Sequence, residues 1–125
     1  MAELLIIDDD DRAARTLARL LQTEGHHASC ASTIGEALRC MRREPPDLVL
    51  LDLNMPRVNG LEFLEAVGAE AQFAHIPVAL YTGHNDSAAR SVARQLGACN
   101  YILKGESWDV IRGQIEQCLQ GQSPS

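Results

Sequence analysis

Acidic, hydroxyl and amino side chains stand directly after short apolar runs of this 125-residue chain. The residues in question are Asp8, Asp9, Asp52, Thr82 and Lys104. If the runs are parallel strands, their carboxyl ends meet at one edge of a sheet, so residues far apart in the sequence converge there. The pattern therefore predicts one pocket that holds carboxylates, a hydroxyl and an ammonium group.

The predicted pocket carries more negative charge than a fold tolerates unaided. Two ionised carboxylates about 4 Å apart repel by roughly 4 kcal/mol at an effective dielectric constant of about 20. A whole domain is stabilised by only about 5–15 kcal/mol. Either some carboxyl groups are protonated or a cation neutralises them. Oxygen ligands without His or Cys favour a hard ion, and a site with few protein ligands suits Mg²⁺.

A carboxylate beside Mg²⁺ and a lysine is equipped to accept a phosphoryl group. Asp52 would attack the phosphorus atom and form an acyl phosphate. The metal would bridge the attacking carboxylate and the transferring oxygens, while Lys104 would offset charge on the far side. The Thr82 hydroxyl can donate to a phosphoryl oxygen, and Gly83 allows its backbone N–H to come close.

Taken singly, these residues have ordinary structural explanations. The aspartates at 8–11 would cap a helix and interact favourably with its dipole. The residues after Asp52 would form a turn, Thr82 would end a strand, and Lys104 would be a solvated surface lysine. Their joint placement at one sheet edge is what favours the functional interpretation.

The strands that position these residues follow from the hydrophobic pattern. Four apolar runs without polar alternation are typical of strands covered on both faces, as in a parallel sheet. These runs occupy residues 4–7, 48–51, 78–81 and 101–103. A weaker, mixed run at 27–31 predicts a fifth strand, at an edge of the sheet.

Helical segments alternate with the strands. Apolar residues recur at helical spacing within 14–21, 34–41 and 89–96, and two less regular helices are predicted at 60–67 and 107–119. Thr33 and Glu36 predict a capping box at one helix start. Asn85 or Asp86 would open the helix after the fourth strand.

Strand and helix, repeated five times with right-handed crossovers, predict an α/β fold. The expected architecture is a flavodoxin-like, doubly wound three-layer sandwich with five helices and a five-stranded parallel sheet of order 2-1-3-4-5. In that order the first and third strands adjoin where the winding reverses, which is where ligands bind. We expect residues 1–120 to form one domain and residues 121–125 to form a flexible tail.

Composition narrows the classes of partner and location. The chain has 11 Lys and Arg against 17 Asp and Glu, and its formal net charge of −6 argues against direct nucleic-acid binding. No apolar stretch approaches the roughly 18–20 residues of a membrane span, and we expect no signal peptide. The four scattered cysteines include no C-x-x-C pair. We therefore expect a cytoplasmic protein with reduced thiols and no membrane contact.

Together the motifs resemble those of the receiver domain of two-component response regulators, a family that includes chemotaxis regulators. The resemblance extends from about residue 3 to about residue 119. The matching segments are LIIDD at 5–9, LLDLNMP at 50–56 with Gly60, YTG at 81–83, Gly97-Ala98, and YILK at 101–104.

The resemblance implies a phosphoacceptor role for Asp52. Phosphate would come from a histidine kinase or a histidine phosphotransfer protein. Mg²⁺ would be bound by Asp9, Asp52 and the backbone carbonyl of Asn54, with Asp8 acting largely through water. Such a module is not an enzyme, beyond its own phosphorylation and autodephosphorylation.

The resemblance also implies a conformational switch. The Thr82 hydroxyl would move toward the phosphoryl group and Tyr101 would turn inward. This change would alter the surface of the fourth helix, last strand and last helix, where a downstream protein or an output domain docks. A simpler interpretation of Tyr101 is an aromatic residue packed against the fourth helix.

Two positions depart from the family pattern or leave a choice open. Receiver domains usually carry a proline after the lysine, whereas Gly105 follows Lys104 here. A cis bond without proline costs about 3–4 kcal/mol, so we expect a trans bond and a different loop path. His84 would either influence the water that removes phosphate or cap the next helix.

Three alternative functions differ from a phosphorylated signalling module. A receiver-like scaffold would work without phosphorylation, although the intact acidic residues, Thr82 and Lys104 argue against it. A small phosphatase of the haloacid dehalogenase type would need an acid where Asn54 stands. A flavodoxin-like electron carrier would need a phosphate-binding loop rich in Ser, Thr and Gly after the first strand.

Overall fold

The computed structural model describes residues 2–53, 55 and 60–121 of the chain. Its strands and helices alternate in the predicted order. They are β1 (Glu3–Ile7), α1 (Asp11–Thr23), β2 (His27–Ala31), α2 (Ile34–Arg43), β3 (Leu48–Leu51), α3 (Gly60–Ala69), β4 (Val78–Thr82), α4 (Ser87–Gln95), β5 (Asn100–Leu103) and α5 (Trp108–Leu119). All strand pairs are parallel, and the sheet order β2-β1-β3-β4-β5 confirms the predicted doubly wound α/β sandwich.

The sheet is apolar on both faces because helices cover each side. Leu5 and Ile7 of β1 belong to the core that includes residues of α2, α3 and α4. Leu4 and Ile6 belong to the core that includes residues of α1 and α5. Successive strand residues point to opposite faces, so a strand buried on both sides reads as an unbroken apolar run.

The mixed run at 27–31 forms β2 at one edge of the sheet, as predicted. Of its residues only Ala31 is fully buried. An edge strand has one neighbour, and here β2 pairs with β1. Its polar residues are therefore explained by solvent contact rather than by a site.

Short polar side chains begin the helices. Asp10 caps α1, and Asp86 rather than Asn85 caps α4. Thr33 caps α2 as predicted. In a capping box the Glu36 carboxylate would bond back to Thr33, but here it bonds mainly to Ser32. The carboxylate of Glu36 accepts from both the backbone N–H and the hydroxyl of Ser32, each at 3.0 Å. These bonds hold the pKa of Glu36 below its ordinary value.

Candidate functional site

The two strands at the centre of the sheet bring two aspartates together. Ile7 of β1 lies opposite Leu51 of β3, so Asp8 and Asp52 leave neighbouring strands at the same level. The hydrogen-bond ladder continues one residue beyond each strand. The Asp52 N–H donates to the Ile7 carbonyl and the Asp8 N–H donates to the Ala31 carbonyl, each at 3.0 Å. Backbone pairing therefore fixes where both carboxylates start.

The same arrangement positions the lysine. Thr82 at the end of β4 lies opposite Leu103 of β5, and the next N–H, that of Lys104, donates to the Thr82 carbonyl at 2.9 Å. Thr82 is completely buried. Lys104, the only lysine of the chain, thus leaves the sheet at the edge where Asp8 and Asp52 leave it.

Three of the predicted ligand residues form one acidic cluster. Oxygen atoms of Asp8, Asp9 and Asp52 all lie within 4.8 Å of one another. Asp8 and Asp52 are buried, whereas Asp9 is exposed. The predicted ligand Asn54 lies outside the described residues.

Lys104 contacts two members of this cluster. Its Nζ lies 2.8 Å from Oδ2 of Asp8 and 3.3 Å from Oδ2 of Asp52. The lysine side chain is 25% exposed, against 1% for Asp8 and 7% for Asp52. One ammonium group therefore faces two buried carboxylates and a third at the surface.

Burial and charge shift the pKa values of this pair. Burial raises the pKa of Asp8, although hydrogen bonds from Lys104 and from the Asp10 N–H act against it. Burial alone lowers the pKa of Lys104, but its hydrogen bond to Asp8 and the charge of Asp52 outweigh that effect, so its pKa is raised. Lys104 is therefore a charged ammonium at neutral pH, and its contact with Asp8 does not fully offset the effect of burial on the Asp8 pKa.

The acidic cluster fits a magnesium ion. Its donors are carboxylate oxygens, which Mg²⁺ prefers. A protein usually binds Mg²⁺ through one or two carboxylates, and this cluster of three can supply that number. Burial is the main cause of the raised pKa of Asp8, and the charge of Asp52 adds to it. A divalent cation beside Asp8 would favour its ionised form.

A second group of contacts ties the loop after β4 to β5. The Thr82 hydroxyl accepts from the His84 N–H at 3.3 Å, and the Tyr101 hydroxyl donates to the His84 carbonyl at 2.8 Å. The guanidinium carbon of Arg90 lies 4.6 Å from the centre of the Tyr101 ring. Tyr101 is thus buried and packed beneath α4, as its simpler interpretation requires. Gly83 lies exposed between Thr82 and His84.

Two sequence-based questions have structural answers. Asp86 caps α4, so the interpretation of His84 as the helix cap is wrong. Every peptide bond among the described residues is trans, which confirms the expectation for Lys104 and Gly105. The loop that follows still lets Lys104 reach Asp8 and Asp52.

Sequence reasoning missed two aromatic contacts at this edge. Lys104 Nζ lies 5.5 Å from the centre of the Tyr81 ring, and burial raises the pKa of Tyr81. Arg90 covers Tyr101. The Tyr81 contact follows from strand register: Tyr81 pairs with Ile102, and Lys104, two residues further on, lies on the same face. No pattern in the sequence marks the Arg90 contact, since it depends on how α4 lies over β5.

No helix in the described part of the chain combines the length and apolarity that a membrane span needs.

Known proteins are similar to this chain in sequence and in architecture. The family model for the response regulator receiver domain matches residues 4–116. The transcriptional regulatory protein KdpE of Mycobacterium tuberculosis is 34% identical over 120 residues, which are 96% of this chain and 52% of that protein. The protein PilH of Pseudomonas aeruginosa is 29% identical over 121 residues, which are 97% of this chain and 100% of that protein.

A solved structure gives the same result for the fold. The crystal structure of a LuxR-family two-component response regulator from Aurantimonas superposes with a TM-score of 0.90 at 26% identity, over 98% of this chain and 88% of that one. The chain thus spans about half of KdpE but the whole of PilH. The matching family model, the sheet order and the acidic edge agree, and the chain belongs to the response regulator receiver domain family.

Proposed function

We propose that this receiver domain accepts a phosphoryl group on Asp52 in a Mg²⁺-dependent reaction. Receiver domains are signalling modules of two-component systems, phosphorylated on an aspartate, rather than enzymes in the usual sense. The observation that carries the proposal is one cluster: oxygens of Asp8, Asp9 and Asp52 within 4.8 Å of one another, with Lys104 bound to two of the three residues.

Asp9, Asp52 and the backbone carbonyl of Asn54 would hold the magnesium ion, with Asp8 acting through water. When bound, the ion supplies positive charge that stabilises the phosphoryl oxygens during transfer. The buried position of Asp8 and Asp52 supports this assignment, because buried carboxylates favour a nearby cation, and burial raises the pKa of Asp8 even with Lys104 beside it.

The transfer step uses residues of this chain. A carboxylate oxygen of Asp52 attacks phosphorus, a P–O bond forms, and the P–N bond to the donor histidine breaks, leaving the electron pair on the imidazole nitrogen. Lys104 moves from its contact with the Asp52 carboxylate to a phosphoryl oxygen and offsets the added charge. The Thr82 hydroxyl and the Gly83 N–H donate to other phosphoryl oxygens.

The contacts that Thr82 and Tyr101 each make with His84 support a switch role for both residues. A cavity of about 710 Å³ is lined by Thr82, His84 and Tyr101, so there is space beside these three residues for a rearrangement. Movement of Thr82 breaks its bond from the His84 N–H, and His84 also holds the Tyr101 hydroxyl. The change would reach the surface of α4, β5 and α5.

We assign the remaining properties by the same proposal. Residues 1–120 form the receiver domain, whereas the tail expected at 121–125 lies, after Gly121, outside the described residues. A histidine kinase or histidine phosphotransfer protein supplies phosphate in the cytoplasm, and the surface of α4, β5 and α5 controls a downstream protein or an output domain. The acidic net charge of −6 supports an interaction with protein rather than nucleic acid.

A small phosphodonor such as acetyl phosphate tests the phosphoacceptor proposal. With Mg²⁺ present, intact-mass spectrometry should show one added phosphoryl group that is stable in acid and labile in base. Asp52→Asn should abolish it, whereas Asp47→Asn, a control at an exposed carboxylate, should not. No adduct on a folded protein would favour the unphosphorylated scaffold. Continuous release of phosphate from many donors would favour the phosphatase, and bound flavin would favour the electron carrier.

A further inference from the structure

Two arginines and an asparagine line a cavity between α4 and β5. The cavity has a volume of about 350 Å³, and Arg90, Arg94, Asn100 and Tyr101 contribute to its wall. None of the described residues that line it is acidic. Residues 87–103 contain no Asp or Glu, although the chain has 17 of these residues against 11 Lys and Arg. The cavity is therefore a basic region of an otherwise acidic protein.

Neither Arg90 nor Arg94 has a carboxylate partner in the described part of the chain, where every ion pair involves another cation. Arg90 donates instead to the side-chain oxygen of Asn85, a neutral acceptor, at 2.9 Å, and its guanidinium lies over the Tyr101 ring. Arg94 is exposed. A guanidinium group binds a carboxylate through parallel hydrogen bonds. Both arginines are therefore available to a carboxylate from outside the chain.

Asn100 adds a hydrogen-bond donor that is shielded from solvent. Its Oδ1 accepts from the Tyr101 N–H at 2.7 Å, which distinguishes the oxygen of the side-chain amide from the nitrogen. The Nδ2 atom is buried and donates to no atom of the described residues. Buried polar groups are normally hydrogen-bonded, and a buried donor without an acceptor costs free energy. This residue of the cavity wall therefore lacks an acceptor that a ligand could supply.

We propose that this cavity binds a carboxylate side chain of the downstream protein. The identity of the partner rests on the proposed function, in which that protein docks on the surface of α4, β5 and α5. The chemistry of the ligand follows from the cavity itself, because two guanidinium groups and an amide offer positive charge and hydrogen-bond donors. Arg90 also lies over the ring of Tyr101. A carboxylate bound to Arg90 is therefore next to a residue of the proposed switch.

NMR of the unphosphorylated full-length chain tests the proposal. A peptide of four glutamates, blocked at both ends, is titrated into ¹⁵N-labelled protein, and the corresponding glutamine peptide is the uncharged control. We expect the side-chain NH₂ signal of Asn100 and the Nε–H signals of Arg90 and Arg94 to shift with the glutamate peptide until they saturate. The glutamine peptide should leave these signals in place. No phosphodonor is present, so the result does not depend on phosphorylation of Asp52.

Variants check that the peptide binds at this cavity. Arg94→Gln removes one guanidinium group, so the dissociation constant of the glutamate peptide should rise about tenfold. Asn100→Asp keeps the shape of the side chain and an acceptor for the Tyr101 N–H, but it replaces the amide donor with a negative charge, so binding should be lost. Arg42→Gln is the matched control. It removes an exposed arginine of α2, and it should bind the peptide as the wild-type protein does.

The proposal is overturned if the Asn100 side-chain signal does not move, because water alone then meets its Nδ2. It is equally overturned if the shifts centre on the arginines of α2 and persist in Arg94→Gln, or if inorganic phosphate saturates the same signals more tightly than the glutamate peptide. Peptide binding by a chain that acetyl phosphate does not modify would remove the phosphoacceptor proposal and leave the carboxylate site standing. Phosphorylation without peptide binding would remove the carboxylate site alone.

Discussion

Lys104 Nζ binds the carboxylate of Asp8 at 2.8 Å, although the two residues are 96 positions apart in the chain. The distance to Asp52 is longer, at 3.3 Å. Lys104 is therefore held mainly by Asp8, whereas Asp52 is the proposed phosphoacceptor. This geometry leaves Lys104 free to exchange its weaker contact for a phosphoryl oxygen while Asp8 keeps it in place.

Removal of the lysine charge should destabilise the fold when Mg²⁺ is absent. Lys104→Met leaves Asp8 and Asp52 buried without their shared ammonium group, so the free energy of unfolding at neutral pH should fall by about 3 kcal/mol. Urea unfolding in the presence of a chelator measures this change. Mg²⁺ should restore part of the lost stability, because it supplies the missing charge.

Arg112→Met is the matched control for that experiment. Arg112 forms surface ion pairs with Glu24 and Asp109, which typically contribute at most about 1 kcal/mol. An equal loss in both variants would show that Lys104 contributes only as an ordinary surface charge.

The stability of the metal-free protein should depend on pH through Asp8. In the unfolded chain Asp8 ionises near its ordinary pKa of 3.8, whereas burial raises its pKa in the fold. Between these two values the unfolded chain has lost a proton that the native protein retains. The free energy of unfolding should therefore fall as pH rises through this interval, and then level off.

Asp8→Asn isolates this contribution. Thermal unfolding of both proteins, measured with chelator from acid to neutral pH, should show that the variant lacks this fall in stability. Saturating Mg²⁺ should flatten the wild-type profile. If the difference between wild type and variant does not change with pH, Asp8 does not titrate in the way that its burial requires.

Gly60 permits α3 to begin close to the phosphoacceptor. A Cβ at this position would lie 2.8 Å from Leu53 Cδ2, 3.3 Å from Leu53 Cα and 3.4 Å from the Asp52 carbonyl oxygen. The Leu53 side chain can rotate away, but the backbone atoms must shift. Gly60→Ala should therefore lower the free energy of unfolding by about 1–2 kcal/mol, and it should slow phosphorylation by a small donor.

Gly68→Ala, in the same helix, separates crowding from helix propensity. A Cβ at Gly68 meets no atom within 4 Å, so stability should be unchanged or should rise by up to about 1 kcal/mol. Equal stability of the two alanine variants, with equal phosphorylation rates, would contradict the role given to Gly60.

Tyr101→Phe should loosen the loop between β4 and α4. The substitution removes the hydroxyl that donates to the His84 carbonyl at 2.8 Å and keeps the ring beneath Arg90. We expect a loss of about 1 kcal/mol in stability and faster hydrogen exchange at residues 83–86. Tyr81→Phe, which keeps its ring beside Lys104, serves as control. Unchanged exchange in the Tyr101 variant would show that this bond does not hold the loop.

Much of the site could be predicted because it depends on backbone pairing. Asp8, Asp52 and Lys104 each follow a strand directly, and parallel register alone brings such positions to one edge. The switch-point position of β1 and β3 followed from alternation of strand and helix. The edge position of β2 followed from its polarity.

Other contacts lay beyond the reach of sequence patterns. The preference of Lys104 for Asp8 depends on a side-chain rotamer, and the cover of Arg90 on Tyr101 depends on how α4 crosses β5. Neither spacing nor residue type carries that information, so it required the tertiary structure.

Phosphorylation as a function of Mg²⁺ concentration is the most direct test of the account. Wild-type protein is incubated with acetyl phosphate at a series of Mg²⁺ concentrations, and the modified residue is located by mass spectrometry of its peptides. We predict that the phosphoryl group is found on Asp52, that its rate of incorporation rises with Mg²⁺ to saturation, and that Asp9→Asn shifts this dependence to higher concentrations. Incorporation that is independent of Mg²⁺, or a phosphoryl group on another residue, would contradict the assignment.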